Sequence, residues 1–257
     1  MMVCKEKIYQ TEDKNMTSPH RIAVAGRKGG VGKTTISCGL ASIFAEGGKR
    51  VLIVDLDPQS NVAFTLGVKL NVPGTAQFLM GKPPAGERVN DQIVVYPGGA
   101  ELESSNIQSL PRDLLSERIS HLDDYDVVIF DCPPGNKNLE QMALMAASVA
   151  LIVLDSHPIS LLGAMRVEKQ LQASRAKGMP IAPRHAVVLS KINMSRKLDK
   201  SFPQMMPQYF PDTSCMMVNQ DAGLFNAMAE QTPIMDYAPK GRGTENLKLI
   251  AEWIVNG

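Results

Sequence analysis

The chain has 257 residues, 44% of them apolar, which is enough to bury a sizeable core and is normal for one large α/β sheet domain. Lys and Arg number 27 against 26 Asp and Glu, a net charge of +1, so bulk charge points to no partner. No apolar run approaches the ~20 residues that span a bilayer, and four scattered cysteines (Cys4, Cys38, Cys132, Cys215) without a C-x-x-C pair argue against a zinc site or disulfide framework and suit a reducing cytoplasm.

The first 18 residues are polar and mixed in charge, without the apolar core of a signal peptide, and read as a mobile tail. Residues 19–257 read as a single domain. Ile22-Ala23-Val24-Ala25 is a short apolar strand, and Gly26 to Thr34 read as the phosphate-loop pattern G-x-x-x-x-G-K-[ST]. Its glycines allow successive backbone N–H groups to face an anion, at the positive end of the helix that follows. That helix is predicted from Lys33 to Glu46, with Ile36, Leu40, Ile43 and Phe44 on one face and Gly47-Gly48 as its stop. Arg50 to Asp55 is a continuous apolar strand, as in a parallel sheet buried on both faces, and completes a βαβ unit. Asp55 and Asp57 then lie at a strand's C-terminal end, where open α/β sheets bind ligands, with Pro58 barring a helix.

Leu66 to Gly99 is rich in Gly and Pro and carries a short helix near Leu79, a turn, and a strand at Ile93–Tyr96. A helix face is read between Leu110 and Leu122. Tyr125 to Asp131 is a strand ending in a carboxylate, the Walker B pattern, in which the acid contacts Mg²⁺. A strand at Val149–Leu154 leads to a helix from Ile159 to about Lys177, with Leu162, Met165, Val167 and Leu171 as its core residues. Arg184 to Ser190 is the next strand, and His157 and His185 show no obvious partner. From Ser160 onward 12 Lys/Arg stand against 8 Asp/Glu, and the densest positive charge falls at Lys191 to Lys200, a basic bias that permits a nucleic-acid face without demanding one. Cys215 to Val218 is a strand, and Leu247, Leu249, Ile250 and Trp253 mark a closing helix after Gly241-Arg242-Gly243.

The string K-G-G-V-G-K-T-T from Lys28 to Thr35 resembles the deviant Walker A box of the ParA/MinD family of ATPases. D-L-D-P-Q-S-N from Asp55 resembles the switch of the ParA branch, and D-C-P-P from Asp131 has the form seen in the ParA group. The resemblance spans about Arg21 to Ile254 and implies a doubly wound, mainly parallel sheet flanked by helices, a P-loop NTPase using ATP and Mg²⁺. It implies that Lys28, Gly29, Gly30, Val31, Gly32, Lys33, Thr34 and Thr35 bind the nucleotide, with Lys28 reaching across a dimer to the partner's ATP. Thr34, Asp55 and Asp131 are expected at the Mg²⁺, and Asp57 is expected to position the attacking water. Asn219 and Asp221 stand in the turn that contacts adenine, with Gln220 where the family has Arg and Gly223 where several members carry a second Arg. Arg196, Lys197 and Lys200, joined by Lys240 and Arg242, are the expected DNA contacts, made to phosphates without base reading. The implied partners are a second copy of the chain on ATP, nonspecific DNA, and a cargo-bound ParB-like activator, in a cytoplasmic, nucleoid-associated protein that segregates a plasmid or chromosome. A MinD-like membrane regulator, a ParA-like ATPase with a protein cargo, and a metabolic P-loop enzyme are the alternatives. No cation follows Lys248, so the basic amphipathic tail of a membrane-cycling member is not expected.

Overall fold

The computed structural model describes residues 19–70 and 72–256, so the tail expected at residues 1–18 lies outside the described residues. In chain order the elements are β1 (His20–Ala25), α1 (Lys33–Glu46), β2 (Val51–Asp55), α2 (Asn61–Thr65), α3 (Thr75–Leu79), β3 (Glu87–Arg88), β4 (Ile93–Tyr96), α4 (Ser105–Gln108) and α5 (Leu114–Ile119). There follow β5 (Val127–Asp131), α6 (Lys137–Ala146), β6 (Val149–Leu154), α7 (Pro158–Ala176), β7 (Arg184–Ile192), α8 (Lys197–Tyr209), β8 (Ser214–Asn219), α9 (Ala222–Ala229), α10 (Ile234–Tyr237) and α11 (Arg242–Asn256).

The strands form one sheet in the order β3-β4-β2-β5-β1-β6-β7-β8, parallel throughout except where the short edge strand β3 runs against β4. The chain leaves β1 for β2 and returns to fill the gap between them with β5. It then passes to β6 on the other side. Loops after β1, β2 and β5 therefore meet at one edge, the crevice where open α/β sheets hold ligands. The register places Asp55 beside Asp131.

Every residue of β2, β5 and β6 is buried, as continuous apolar runs require when helices cover both faces. Side chains alternate between those faces. Ile22, Val24, Ile53 and Ile129 pack with Ile36, Leu40, Leu247 and Ile250 under α1 and α11. Ala23, Leu52, Phe130 and Ile152 pack with Leu139, Met142, Leu171 and Met206 under α6, α7 and α8. Among the described residues no helix is long and apolar enough to cross a membrane.

Three expectations change. The helix read between Leu110 and Leu122 is confined to α5, which closes at Ser120, where the N–H is shared between the Ser116 and Glu117 carbonyls and the hydroxyl also donates to Glu117. Leu162 is exposed, and Leu161 and Ala164 take the core face of α7 instead. Strand β7 continues past Ser190 to Ile192. Helix α8 runs unbroken through Pro203 and Pro207. Each proline removes an N–H that would bond four residues back, and the burial of Phe202 and Met206 on the same helix offsets the loss.

Candidate nucleotide and metal site

The loop between β1 and α1 is shaped by left-handed Gly30 (φ 72) and Gly32 (φ 96), which a side-chain-bearing residue would adopt only under strain. Gly32 is the N-cap of α1, and among the described residues no side chain caps that end. The first N–H groups of a 14-residue helix thus stand open to an anion. Five residues separate Gly26 from Gly32, one more than the general pattern allows, so Arg27 occupies the place of the pattern's first glycine. Its guanidinium is spent on the loop's shoulder, donating to Glu140 Oε1 at 3.3 Å and Gln170 Oε1 at 2.6 Å. Gly26 keeps its own role: a Cβ there would stand 2.6 Å from the Val153 carbonyl oxygen.

Lys33 is buried at the start of α1, its Nζ donating to the Lys28 carbonyl at 3.4 Å. Lys28 folds back within its own chain and pairs with Asp155 at 2.6 Å, just past the end of β6. Thr34 Oγ1 donates to Asp131 Oδ2 at 2.7 Å, and Ser37, three residues on and so on the same helix face, donates to Oδ1 at 2.8 Å. Thr35 points elsewhere, toward Met228 Sδ at 3.1 Å.

Asp55 is fully buried beside Asp131, accepting from the N–H groups of Asp57 at 2.9 Å and Val62 at 3.1 Å. Asp57 is also buried, and its Oδ1 accepts from the Gln59 N–H at 2.9 Å in an Asx turn. The switch is held down by Gly98, where a Cβ would lie 2.1 Å from the Asp57 carbonyl oxygen. On the far side of the crevice, Asn219 ends β8 with its Nδ2 on Asn246 Oδ1 at 2.6 Å and its own Oδ1 buried without a partner among the described residues. Asp221 caps α9 through Gly223 N–H and ties in Gly243 N–H, so each of its oxygens already holds a backbone donor.

Two carboxylates buried side by side on neighbouring strands are costly. Burial, then the Asp131 charge, raises Asp55 well above the usual carboxylate range. Burial pushes Asp131 up to about 6, against the hydroxyls of Thr34 and Ser37 and the charge of Lys33. This is the environment a hard divalent cation relieves, and Asp55, Asp131 and Thr34 carry oxygens of the kind such a cation could take. Among the described residues no group of three His, Cys, Asp or Glu forms a dedicated metal cage.

The strained pair predicts a pH dependence. Unfolded, an Asp releases its proton at about 4, whereas folded Asp131 keeps it up to about 6. The native state therefore binds more protons in that window, and the pair's contribution to stability falls as pH rises through it. The wild-type protein without nucleotide should gain melting temperature on going from neutral pH toward pH ~5, relative to Asp131→Asn, which lacks the titration. Calorimetric melts of both across that range check this, and parallel curves would refute it.

The five expected DNA contacts are all exposed. Arg196 and Lys197 open α8 with Lys200 one turn on, and Arg242 opens α11 just after Lys240. Both helix starts sit at the C-terminal edge of β7 and β8, joined by Gln220 N–H on the Ile192 carbonyl, Asn193 Nδ2 on Gln220 Oε1 at 3.4 Å, and Asp221 on Gly243. The structure thus gathers two sequence-distant basic groups on the edge that also carries the phosphate loop. His157 caps α7 by accepting from Ile159 N–H, and His185 lies between Arg175 at 3.0 Å and Glu168 at 3.4 Å, so both histidines have partners after all. Cys132 is a buried core residue.

The AAA domain family matches residues 20–179 of the chain. The chromosome-partitioning ATPase Soj of Thermus thermophilus is 27% identical over 237 residues, covering 91% of this chain and 95% of Soj. The chain belongs to the ParA/MinD family of ATPases. The fold of this ParA/MinD-family ATPase is shared with Cyanothece apo McdA, at a TM-score of 0.80 and 19% identity, covering 92% of this chain and 99% of McdA. It is shared also with the septum site-determining protein MinD of Pyrococcus horikoshii, complexed with Mg-ADP, at 0.76 and 23%, covering 92% and 96%. Sequence reading of the ParA/MinD-family ATPase missed Ser37, Gly98 and Asp155. Ser37 was recoverable from its helical spacing to Thr34, and Asp155 from its place at the end of a buried strand.

Proposed function

We propose that this ATPase runs a partition cycle in which ATP with Mg²⁺ joins two copies of the chain, the dimer holds DNA nonspecifically, and a cargo-bound ParB-like activator triggers hydrolysis and release. The observation that carries the reading is the convergence, at one sheet edge, of an open helix N-terminus bearing Lys33 and Thr34, the Asp55–Asp131 pair, Asp57, and a second lysine, Lys28. Thr34, Asp55 and Asp131 would hold Mg²⁺, which supplies neutralising charge at the β- and γ-phosphates. Lys33 exchanges the Lys28 carbonyl for phosphate oxygen. Asp57, held in its turn, orients the attacking water. Lys28, released from Asp155, lends its charge to the partner's nucleotide. Asn219, with one buried amide oxygen unpaired, accepts from the base, and Asp221 shapes the turn that presents it.

The basic edge supports DNA as the second ligand. Cations stabilise helix C-termini and oppose the dipole at N-termini, yet Arg196, Lys197 and Arg242 all stand at helix starts. That placement favours a bound anion. One protomer offers a small patch, and pairing two patches in a dimer multiplies their affinity through effective concentration. Binding to a random-sequence duplex should be strong with ATP, weak with ADP and weak without nucleotide, and steeply salt-dependent. Equal retention in all three conditions would defeat the cycle. The cargo is a plasmid or chromosome in a nucleoid-associated cytoplasmic protein.

A further inference from the structure

The N–H groups of the phosphate loop face inward only while its carbonyls face outward, and two neighbouring side chains of β7 hold those carbonyls. Ser190 Oγ donates to the Val31 carbonyl, and Lys191 Nζ donates to the Gly30 carbonyl at 2.6 Å. In a regular strand, adjacent side chains leave on opposite faces. Strand β7 is not regular there: Leu189 pairs with Met217 and Ile192 with Asn219, three steps against two. The extra residue is accommodated with Lys191 in the left-handed region at φ 57. Bulges re-aim side chains beside functional sites, and backbone conformations unfavourable to side-chain-bearing residues concentrate there. This bulge sends two consecutive donors to two consecutive carbonyls.

We propose that Lys191 is a positioning residue of the nucleotide site, fixing the phosphate loop in its anion-binding shape. A trans peptide is planar, so its C=O and N–H point in opposite directions. Pinning the Gly30 carbonyl outward turns the Val31 N–H inward, and Ser190 does the same for the Gly32 N–H through Val31. The ammonium also polarises the Gly30–Val31 peptide and strengthens its N–H as a donor. The ligand served is the phosphate chain of a nucleoside di- or triphosphate, so the inference rests on the nucleotide reading of the loop.

Three variants of the full chain, titrated with Mg-ADP and Mg-ATP and melted without nucleotide, test it. Lys191→Gly removes the amine and also the left-handed strain. Relief of that strain should offset the lost bond, so that the nucleotide-free protein melts close to the wild-type temperature, while the loop, no longer held in its binding shape, binds both nucleotides roughly 10-fold more weakly. Lys191→Met keeps the strain and should lose affinity similarly without the thermal offset, and Lys191→Arg should recover most of the affinity. Lys191→Gly binding as tightly as the wild type overturns the proposal. So does a fall in melting temperature of the Gly variant with no rescue by Arg, which makes the lysine a staple of the fold. A wild type that binds neither nucleotide sinks the phosphate-loop reading itself, and this inference with it.

Discussion

Lys33→Ala is expected to abolish tight nucleotide binding, weakening Mg-ATP by about 100-fold or more in a calorimetric titration. The lysine is buried at the first position of α1, and its Nζ reaches only a backbone carbonyl at 3.4 Å, a long bond readily exchanged for a phosphate oxygen. A buried charge truncated from an ionic contact costs more than the contact itself contributes, because the opposing charge is left desolvated and alone. Two such opposing groups are present. Besides the phosphates, Lys33 supplies the positive charge that lowers Asp131, partly countering burial. Its loss should therefore move Asp131 further upward and lower the melting temperature of the nucleotide-free protein more at pH 8 than at pH 5. A variant that binds Mg-ATP like the wild type would remove Lys33 from the phosphate site.

The parts of this molecule that sequence disclosed are those governed by local rules. The bounds of α1 follow from Lys33-Thr34-Thr35 after the glycines and from Gly47-Gly48 at the other end. Strands β2, β5 and β6 announce themselves because both their faces are buried, which demands unbroken apolar runs. The boundary of β7 was misplaced because Lys191 carries charge and a left-handed backbone, neither of which marks a strand. Two prolines gave no hint that α8 would survive them, since the compensation comes from Phe202 and Met206 packing across space. The site divides the same way. Lys33, Thr34, Asp55 and Asp131 sit at ends of elements and could be placed by topology alone. Gly98 over Asp57, Asp155 on Lys28, and Lys191 on Gly30 join residues that are 41, 127 and 161 apart in sequence. No periodicity encodes such meetings. Lys28 shows the limit most plainly: its motif identified it, but its pairing with Asp155 required the end of β6 to be in place.

Asp57→Ala is expected to stop turnover at a point where the DNA-bound dimer has formed. Loss of a group that orients or deprotonates the attacking water lowers rates by about 10²–10⁴-fold, whereas phosphate binding depends on the loop and on Lys33. Binding and hydrolysis should therefore separate: Mg-ATP affinity close to wild type, phosphate release nearly absent, and DNA retained after ATP is diluted away. The structure supports the separation, because Asp57 makes no hydrogen bond to the phosphate loop among the described residues, and its Oδ1 closes its own turn on Gln59. That turn is also the confounding feature, since alanine removes a bond worth about 1 kcal/mol and loosens the switch. Asp57→Asn distinguishes the two effects: the amide oxygen keeps the acceptor for Gln59 but carries no charge and is too weak a base to take a proton. If Asn restores the melting temperature and not the turnover, the carboxylate acts on water. If Asn restores both, Asp57 serves only to shape the loop, and the hydrolytic group must be sought elsewhere on that edge. Normal turnover in Asp57→Ala would remove the switch from the mechanism, and with it the step that lets ATP consumption release the dimer.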